Sequence, residues 1–154
     1  MTSASGDVTY LDYVGSNVSR VRTVRADGTT LTRVAYTYDG SNRLSTVTVD
    51  LSPDDGSTAD NKFYRSTYTY DGASKRVASV TQSDGTSLAF TYVQVGADYR
   101  VATVKDGLNH TTSYSYDTAN KRTTVTDPLG LVTTYEYDTA GAVILVSWPA
   151  VSYS

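Results

Sequence analysis

The chain has 154 residues, a net charge of −3 and no cysteine. That length suits one domain with a real core, and the mild, unclustered negative charge argues against a nucleic-acid surface. Disulfides and thiol chemistry are excluded, and the lone His110 excludes multi-His metal sites and His-based catalysis.

Val, Thr and Tyr dominate the composition. They suit a pleated, half-buried surface, so the expected class is all-β. No run of 18 apolar residues is present, so no membrane span is expected, and Met1–Asp7 lacks the basic and apolar regions of a signal peptide. A weak first repeat centres on Tyr10, with the apolar pair Val21 and Val24 and a turn at Asp27-Gly28-Thr29. Next come Tyr36-Thr-Tyr38-Asp39 and the pair Leu44 and Val47. Asp50–Ser66, with Ser52-Pro-Asp-Asp-Gly-Ser57, reads as a long solvent loop. Tyr68-Thr-Tyr70-Asp71, Val77 and Val80, and Asp84-Gly85-Thr86 follow. The third full copy has Phe90-Thr-Tyr92, a widened turn at Val93–Asp98, Val101 and Val104, and Asp106-Gly107-Leu108. The fourth has Tyr114-Ser-Tyr116-Asp117, where Thr123 and Val125 replace the apolar pair, then Asp127-Pro-Leu-Gly130. The fifth has Tyr135-Glu-Tyr137-Asp138 with Val143 and Val146. Pro149 is expected to stop pairing after Trp148.

Each landmark has a physical reading. Tyr-x-Tyr puts two rings on one face of a strand, because side chains alternate with period 2. Asp-Gly between short strands predicts a type I′ hairpin turn, with Gly28, Gly85 and Gly107 supplying positive φ and Gly130 standing at the equivalent place. The Gly-, Ser- and Asn-rich stretch after each Tyr-Asp predicts a second turn. One unit is thus strand, turn, strand, turn, for example strands Val77–Gln82 and Thr86–Tyr92. An apolar pair three apart conflicts with period 2. Either a bulge realigns it, or both faces are partly buried.

Taken together, these copies resemble the YD repeat, also called the RHS repeat. Val125-Thr-Asp-Pro-Leu-Gly-Leu-Val-Thr-Thr-Tyr-Glu-Tyr-Asp-Thr-Ala-Gly141 and Val34-Ala-Tyr-Thr-Tyr-Asp-Gly-Ser-Asn-Arg-Leu-Ser-Thr-Val47 carry the likeness. It covers roughly Tyr10 to Val146. The resemblance implies an open, twisted strip of tandem antiparallel hairpins, residues 1–154 forming one array of about five to six repeats. In that family the strip spirals into a hollow shell enclosing a toxin domain, as in RHS polymorphic toxins and insecticidal toxin complexes. Related repeats occur in wall-associated proteins and teneurins. A closed shell needs many more repeats, so the chain is expected to be a fragment of a longer secreted or cell-surface protein. Its expected partners are other repeats and an encapsulated domain.

The chemistry is correspondingly sparse. RHS toxins cleave themselves at Asp-Pro-x-Gly-Leu, which Asp127–Leu131 matches, but the motif lies in register with the other turns and a further complete repeat follows. The acidic residues Asp50, Asp54, Asp55, Asp60 and Asn61 match no calcium-loop spacing. No catalytic residue, metal site or cofactor is expected. The ten ring positions Tyr36, Tyr38, Tyr68, Tyr70, Phe90, Tyr92, Tyr114, Tyr116, Tyr135 and Tyr137 read as packing of the strip, against the alternative of a glycan- or cell-surface-binding face. Val143-Ile-Leu-Val146 is apolar and uncharged. It predicts edge-to-edge self-association, unless Trp148 and the tail fold back over it.

Overall fold

A computed structural model describes residues 4–55 and 60–148. The fold is all-β and antiparallel. Two compact units divide the chain, Met1–Thr86 and Ser87–Ser154. The first holds β1 (Val8–Val14), β2 (Asn17–Val24), β3 (Thr30–Tyr38), β4 (Leu44–Asp50), β5 (Phe63–Tyr70) and β6 (Val77–Gln82). The second holds β7 (Ser87–Val95), β8 (Asp98–Asp106), β9 (Thr111–Asp117), β10 (Arg122–Thr126), β11 (Val132–Tyr137) and β12 (Val143–Ser147). Within each unit, every strand pairs antiparallel with its neighbours in the chain. Among the described residues the only helical element is a 3₁₀ turn at Pro53–Asp55, which packs against β3.

The register resolves the apolar pairs. Tyr38 faces Leu44 and Tyr36 faces Val47, with Ser45 as the extra residue. Ala78 is extra in β6, Ala102 in β8 and Ile144 in β12. One inserted residue returns both members of each pair to the ring face, so the bulge is the correct alternative. Thr123 and Val125, two apart, face Tyr116 and Tyr114 with no bulge. The opposite face carries hydroxyl pairs, Thr37 with Thr46, Thr69 with Ser79 and Thr91 with Thr103, each at 2.7 Å.

Several expectations need correction. In the first repeat Tyr13 faces Val18 and Leu11 faces Val21, with Ser19 as the bulge. The ring-face landmarks there are Leu11 and Tyr13 with Val18 and Val21. Tyr10 lies one residue away, opposite Arg22 on the other face, and Val24 faces Val8. The Asp-Gly turns are not type I′: Gly28 (φ 85) and Gly85 (φ 90) are left-handed, but Asp27 and Asp84 are not. They are three-residue turns that close on a left-handed glycine. After Asp106 the left-handed residue is Asn109 (φ 69), two beyond Gly107. Gly130 (φ 83) is placed as expected.

The insertion at 93–98 lengthens the β7–β8 hairpin instead of widening a turn, since pairing continues to Val95 and Asp98. The loop at 50–66 is shorter than expected, because Asp50 ends β4 and Phe63 opens β5. Asp50 is buried at 6% exposure. Trp148 is 72% exposed and does not fold back over β12, while Pro149 lies outside the described residues.

The length also suggested a real core. Among the described residues Leu31 is the only buried apolar side chain, at 1% exposure. Each unit is a layer of strands paired side by side, with no second layer to enclose side chains. The ten predicted ring positions are half-buried instead.

Candidate functional site

The ring face is built from a unit that recurs at strand junctions. A bulge interrupts the ladder to the next strand. Pairing of β2 with β3 stops at Arg20, of β4 with β5 at Thr46, and of β8 with β9 at Thr103. Each stops two residues short of the residue that precedes the bulge. That residue's carbonyl accepts instead from the second tyrosine of the following pair. The Tyr38 hydroxyl donates to the Val18 carbonyl at 2.9 Å, Tyr70 to Leu44 at 2.7 Å and Tyr116 to Val101 at 2.7 Å. A carbonyl left unpaired by the bulge thereby gains a partner. Burial pushes the Tyr116 phenol above its ordinary value of 10.0.

Two of these tyrosines carry an arginine on the ring. The Arg43 guanidinium lies 4.4 Å from the Tyr70 ring centre and Arg100 lies 5.1 Å from that of Tyr116. In both cases the arginine immediately precedes the accepting residue. Stacking of this kind contributes about 0.5–1 kcal/mol at exposed positions. Arg43 further donates to the Gly72 and Ser74 carbonyls at 2.8 and 2.6 Å, joining the β3–β4 turn to the β5–β6 turn.

The turn aspartates act as caps. Oδ1 of Asp39 accepts from the backbone N–H of Ser41 and Arg43, that of Asp106 from Leu108 and His110, that of Asp127 from Leu129 and Leu131, and that of Asp138 from Ala140 and Ala142. The turns after Asp39, Asp106, Asp127 and Asp138 thus share one geometry. The Arg43 backbone N–H holds Asp39 below its ordinary 3.8. The Asn120 side chain does the same at Asp117. Asp127 sits in the common turn frame, with Oδ1 engaged at 2.9 and 2.8 Å. The His110 Nδ1–H donates to Asp106 Oδ2 at 3.0 Å, and the ring is largely exposed. The acidic loop residues are drawn apart: Asp54 pairs with Arg25, and Asp60 accepts from Ser52 and the Lys62 backbone. Among the described residues no group of three or more His, Cys, Asp or Glu is arranged to hold a metal ion.

The fourth hairpin departs. Without a bulge in β10, pairing with β11 runs on to Arg122 and Glu136. The Tyr137 backbone N–H donates to the Lys121 carbonyl at 3.0 Å, and its hydroxyl reaches no β10 carbonyl. Arg122 pairs with Glu136 at 2.6 Å instead of lying on the ring. A cavity of ≈ 620 Å³ opens here, lined by Tyr116, Thr123 and Tyr137 among others. Its sequence signal was the two-residue spacing of Thr123 and Val125.

Tandem bulged hairpins with a tyrosine row define a β-repeat protein. Residues 98–130 and 119–147 match the RHS repeat family model, so that stretch of the chain carries RHS, or YD, repeats. No curated protein matches it. Its fold is similar to part of the crystal structure of TcdB2-TccC3 without the hypervariable C-terminal region, at TM-score 0.62 and 17% identity. That match covers 97% of this chain and 8% of the other, so the chain spans a small part of that protein's length. Structures of TcdB2-TccC3-Cdc42 (12% identity, TM-score 0.33, 99% and 11% covered) and TcdB2-TccC3-TEV (14%, 0.29, 97% and 11%) match less well.

Proposed function

We propose that the chain is a non-catalytic wall segment, one continuous array within a larger RHS-repeat shell. The carrying observation is the near absence of a core. Leu31 alone among described apolar residues is buried, while the rings of ten repeat positions are half-buried along one face. A layer of this kind gains its remaining burial from what adjoins it, which suits a wall better than a free-standing domain. The tyrosine pairs and turn residues carry the role jointly. Hydroxyls engaged on backbone carbonyls at Tyr38, Tyr70 and Tyr116 support packing over a general glycan-binding face. Likeness to part of TcdB2-TccC3 supports a secreted shell whose further repeats enclose or present a toxin domain.

The test is protection. The native coding sequence should carry many further repeats and a non-repeat domain. In the intact protein that domain should resist a protease that digests it when free. Equal cleavage in both states overturns the reading.

A further inference from the structure

We infer that a rim of strand ends in the second unit is an interface on which a second copy of this chain docks about a two-fold axis. This inference does not rest on the wall role.

Apolar side chains stand exposed in a row where β7 to β12 begin, turn or end on one side of the unit. They are Leu88, Leu108, Leu129, Leu131, Val132 and Trp148. Successive strands are paired, and at about 4.8 Å between neighbours the row spans roughly 25 Å. Leu108 is 77% exposed and Leu129 86%. The turns at the opposite ends of these strands, at Gly96-Ala97, Thr118-Ala119 and Thr139-Ala140, carry no large apolar side chain.

The turns themselves do not call for leucine. Leu108 and Leu129 each lie two residues after a capping aspartate, and their backbone N–H groups donate to Oδ1 of Asp106 and Asp127, both at 2.9 Å. The same backbone bond is made elsewhere by Thr29, Ser41, Ser52, Lys62, Thr86 and Ala140. The cap uses only the N–H, so small and polar side chains fill this place equally well. A leucine standing in water at both neighbouring turns, beside further apolar residues, marks a contact surface.

The size of the row selects its occupant. It exposes on the order of 700 Å², above the roughly 300–600 Å² of the largest patch on a typical monomer and close to the about 800 Å² that each partner brings to a standard interface. Its carboxylates turn inward: Asp106 holds its own turn and His110, and Asp127 holds its own turn. The row thus presents apolar side chains foremost, and the surface that matches it in size and chemistry is the same row of a second copy. A two-fold axis sets the row against itself and closes the contact at a dimer. Because the row crosses strand ends, further strands pairing beyond β1 or β12 would leave it uncovered.

Sedimentation velocity of the full chain from roughly 1 to 500 µM should show a monomer–dimer equilibrium with a micromolar Kd and no larger species. Trp148, the single tryptophan, should shift its fluorescence to the blue over the same range. Leu108→Thr with Leu129→Thr installs the residue type of Thr29 and Thr86, so the caps are kept. The Kd should rise at least about tenfold with circular dichroism and melting midpoint unchanged. Trp148→Ser should also weaken the dimer, which keeps the inference testable if the double variant misfolds. Ile144→Thr, on the β12 edge, should leave the Kd within about twofold. A strict monomer throughout overturns the inference. So does growth beyond the dimer, or association that Ile144→Thr abolishes and the leucine pair leaves intact, which assigns it to the strand edge. A blue shift on phosphatidylcholine vesicles, with the chain monomeric in solution, assigns the row to a bilayer and overturns the second copy.

Discussion

The β4–β5 and β10–β11 junctions start from nearly the same sequence and end differently. Each begins with an arginine, Arg43 or Arg122, and meets the second tyrosine of the next pair, Tyr70 or Tyr137. At β4–β5 the next residues are Leu44 and the bulged Ser45, the ladder stops at Thr46, Tyr70 bonds the Leu44 carbonyl and Arg43 lies on its ring. At β10–β11 the next residue is Thr123, no bulge forms, the ladder runs on to Arg122, and Tyr137 is left without that bond. One residue of spacing thus selects between a junction closed by a side chain and one closed by backbone. The first gives the Leu44 carbonyl a side-chain partner. The other opens a cavity.

Truncating Tyr70 breaks the comparison most severely. Tyr70→Ala removes a half-buried ring, its hydroxyl and the platform for Arg43, and should cost about 3 kcal/mol, the low end for large aromatic truncations. Tyr70→Phe should cost about 1–2 kcal/mol, because the Leu44 carbonyl loses its partner. Tyr137→Phe should change stability by well under 0.5 kcal/mol, in the range of surface substitutions. Deleting Ser45 gives β4 the spacing of β10 and should remove the Tyr70 bond. Combined with Tyr70→Phe, it should therefore cost less than the sum of the two changes. Urea unfolding measures all five. Equal losses for Tyr70→Phe and Tyr137→Phe, or strict additivity with the deletion, would remove the distinction between the junctions.

The legible part of this architecture is what the chain encodes locally. Tyr-x-Tyr specifies a shared face through period 2, and the strand at Val77–Gln82 was readable residue for residue. The bulge was half legible: a spacing of three states that something must give, while the cross-strand register that names Ser45 or Ala78 involves a second strand. The tyrosine bonds were not legible, because Tyr70 finds its acceptor 26 residues earlier. The first repeat was misplaced by one residue, since Tyr10 and Leu11 both fit an apolar position and only pairing with β2 separates their faces. The cavity was hidden for the same reason. Thr123 and Val125 were visible as a departure, but its consequence depends on a carbonyl in β10 and a phenol in β11.

A finer distinction concerns the turns on which both kinds of junction rest. Gly28 is left-handed at φ 85, and an added Cβ would meet nothing within 4 Å. The cost of Gly28→Ala is therefore conformational alone, about 1–2 kcal/mol. Gly107 occupies a turn whose left-handed position belongs to Asn109. Gly107→Ala should be neutral within about 0.5 kcal/mol, as for ordinary surface changes. Thermal midpoints of the two variants separate these outcomes. A larger loss at Gly107 would restore the Asp-Gly reading of that turn.

The smallest effect is a pH dependence that the two junction types should share. Asp39 caps the turn before the bulged β4, and its carboxyl is held below the ordinary 3.8 first by the Arg43 backbone N–H, then by the Arg43 side chain and the Ser41 N–H, against desolvation. Asp117 caps the turn before the unbulged β10 and is lowered by the Asn120 side chain and backbone. A carboxyl lowered in the folded state favours folding at pH above its unfolded value. That contribution disappears as pH falls from about 3.8 through the lowered value. Both turns should therefore loosen together on acidification, and because their principal donors are N–H groups rather than distant charges, added salt should change little. Asp39→Asn keeps an acceptor oxygen but cannot titrate, so it should flatten the acid limb contributed by the first turn and leave the second unaltered. Amide exchange at Arg43 and Asn120 between neutral pH and pH 3, corrected for intrinsic exchange rates, reads each turn separately. Protection that rises toward acid at either amide would mean that its cap does not act through the ionised carboxylate.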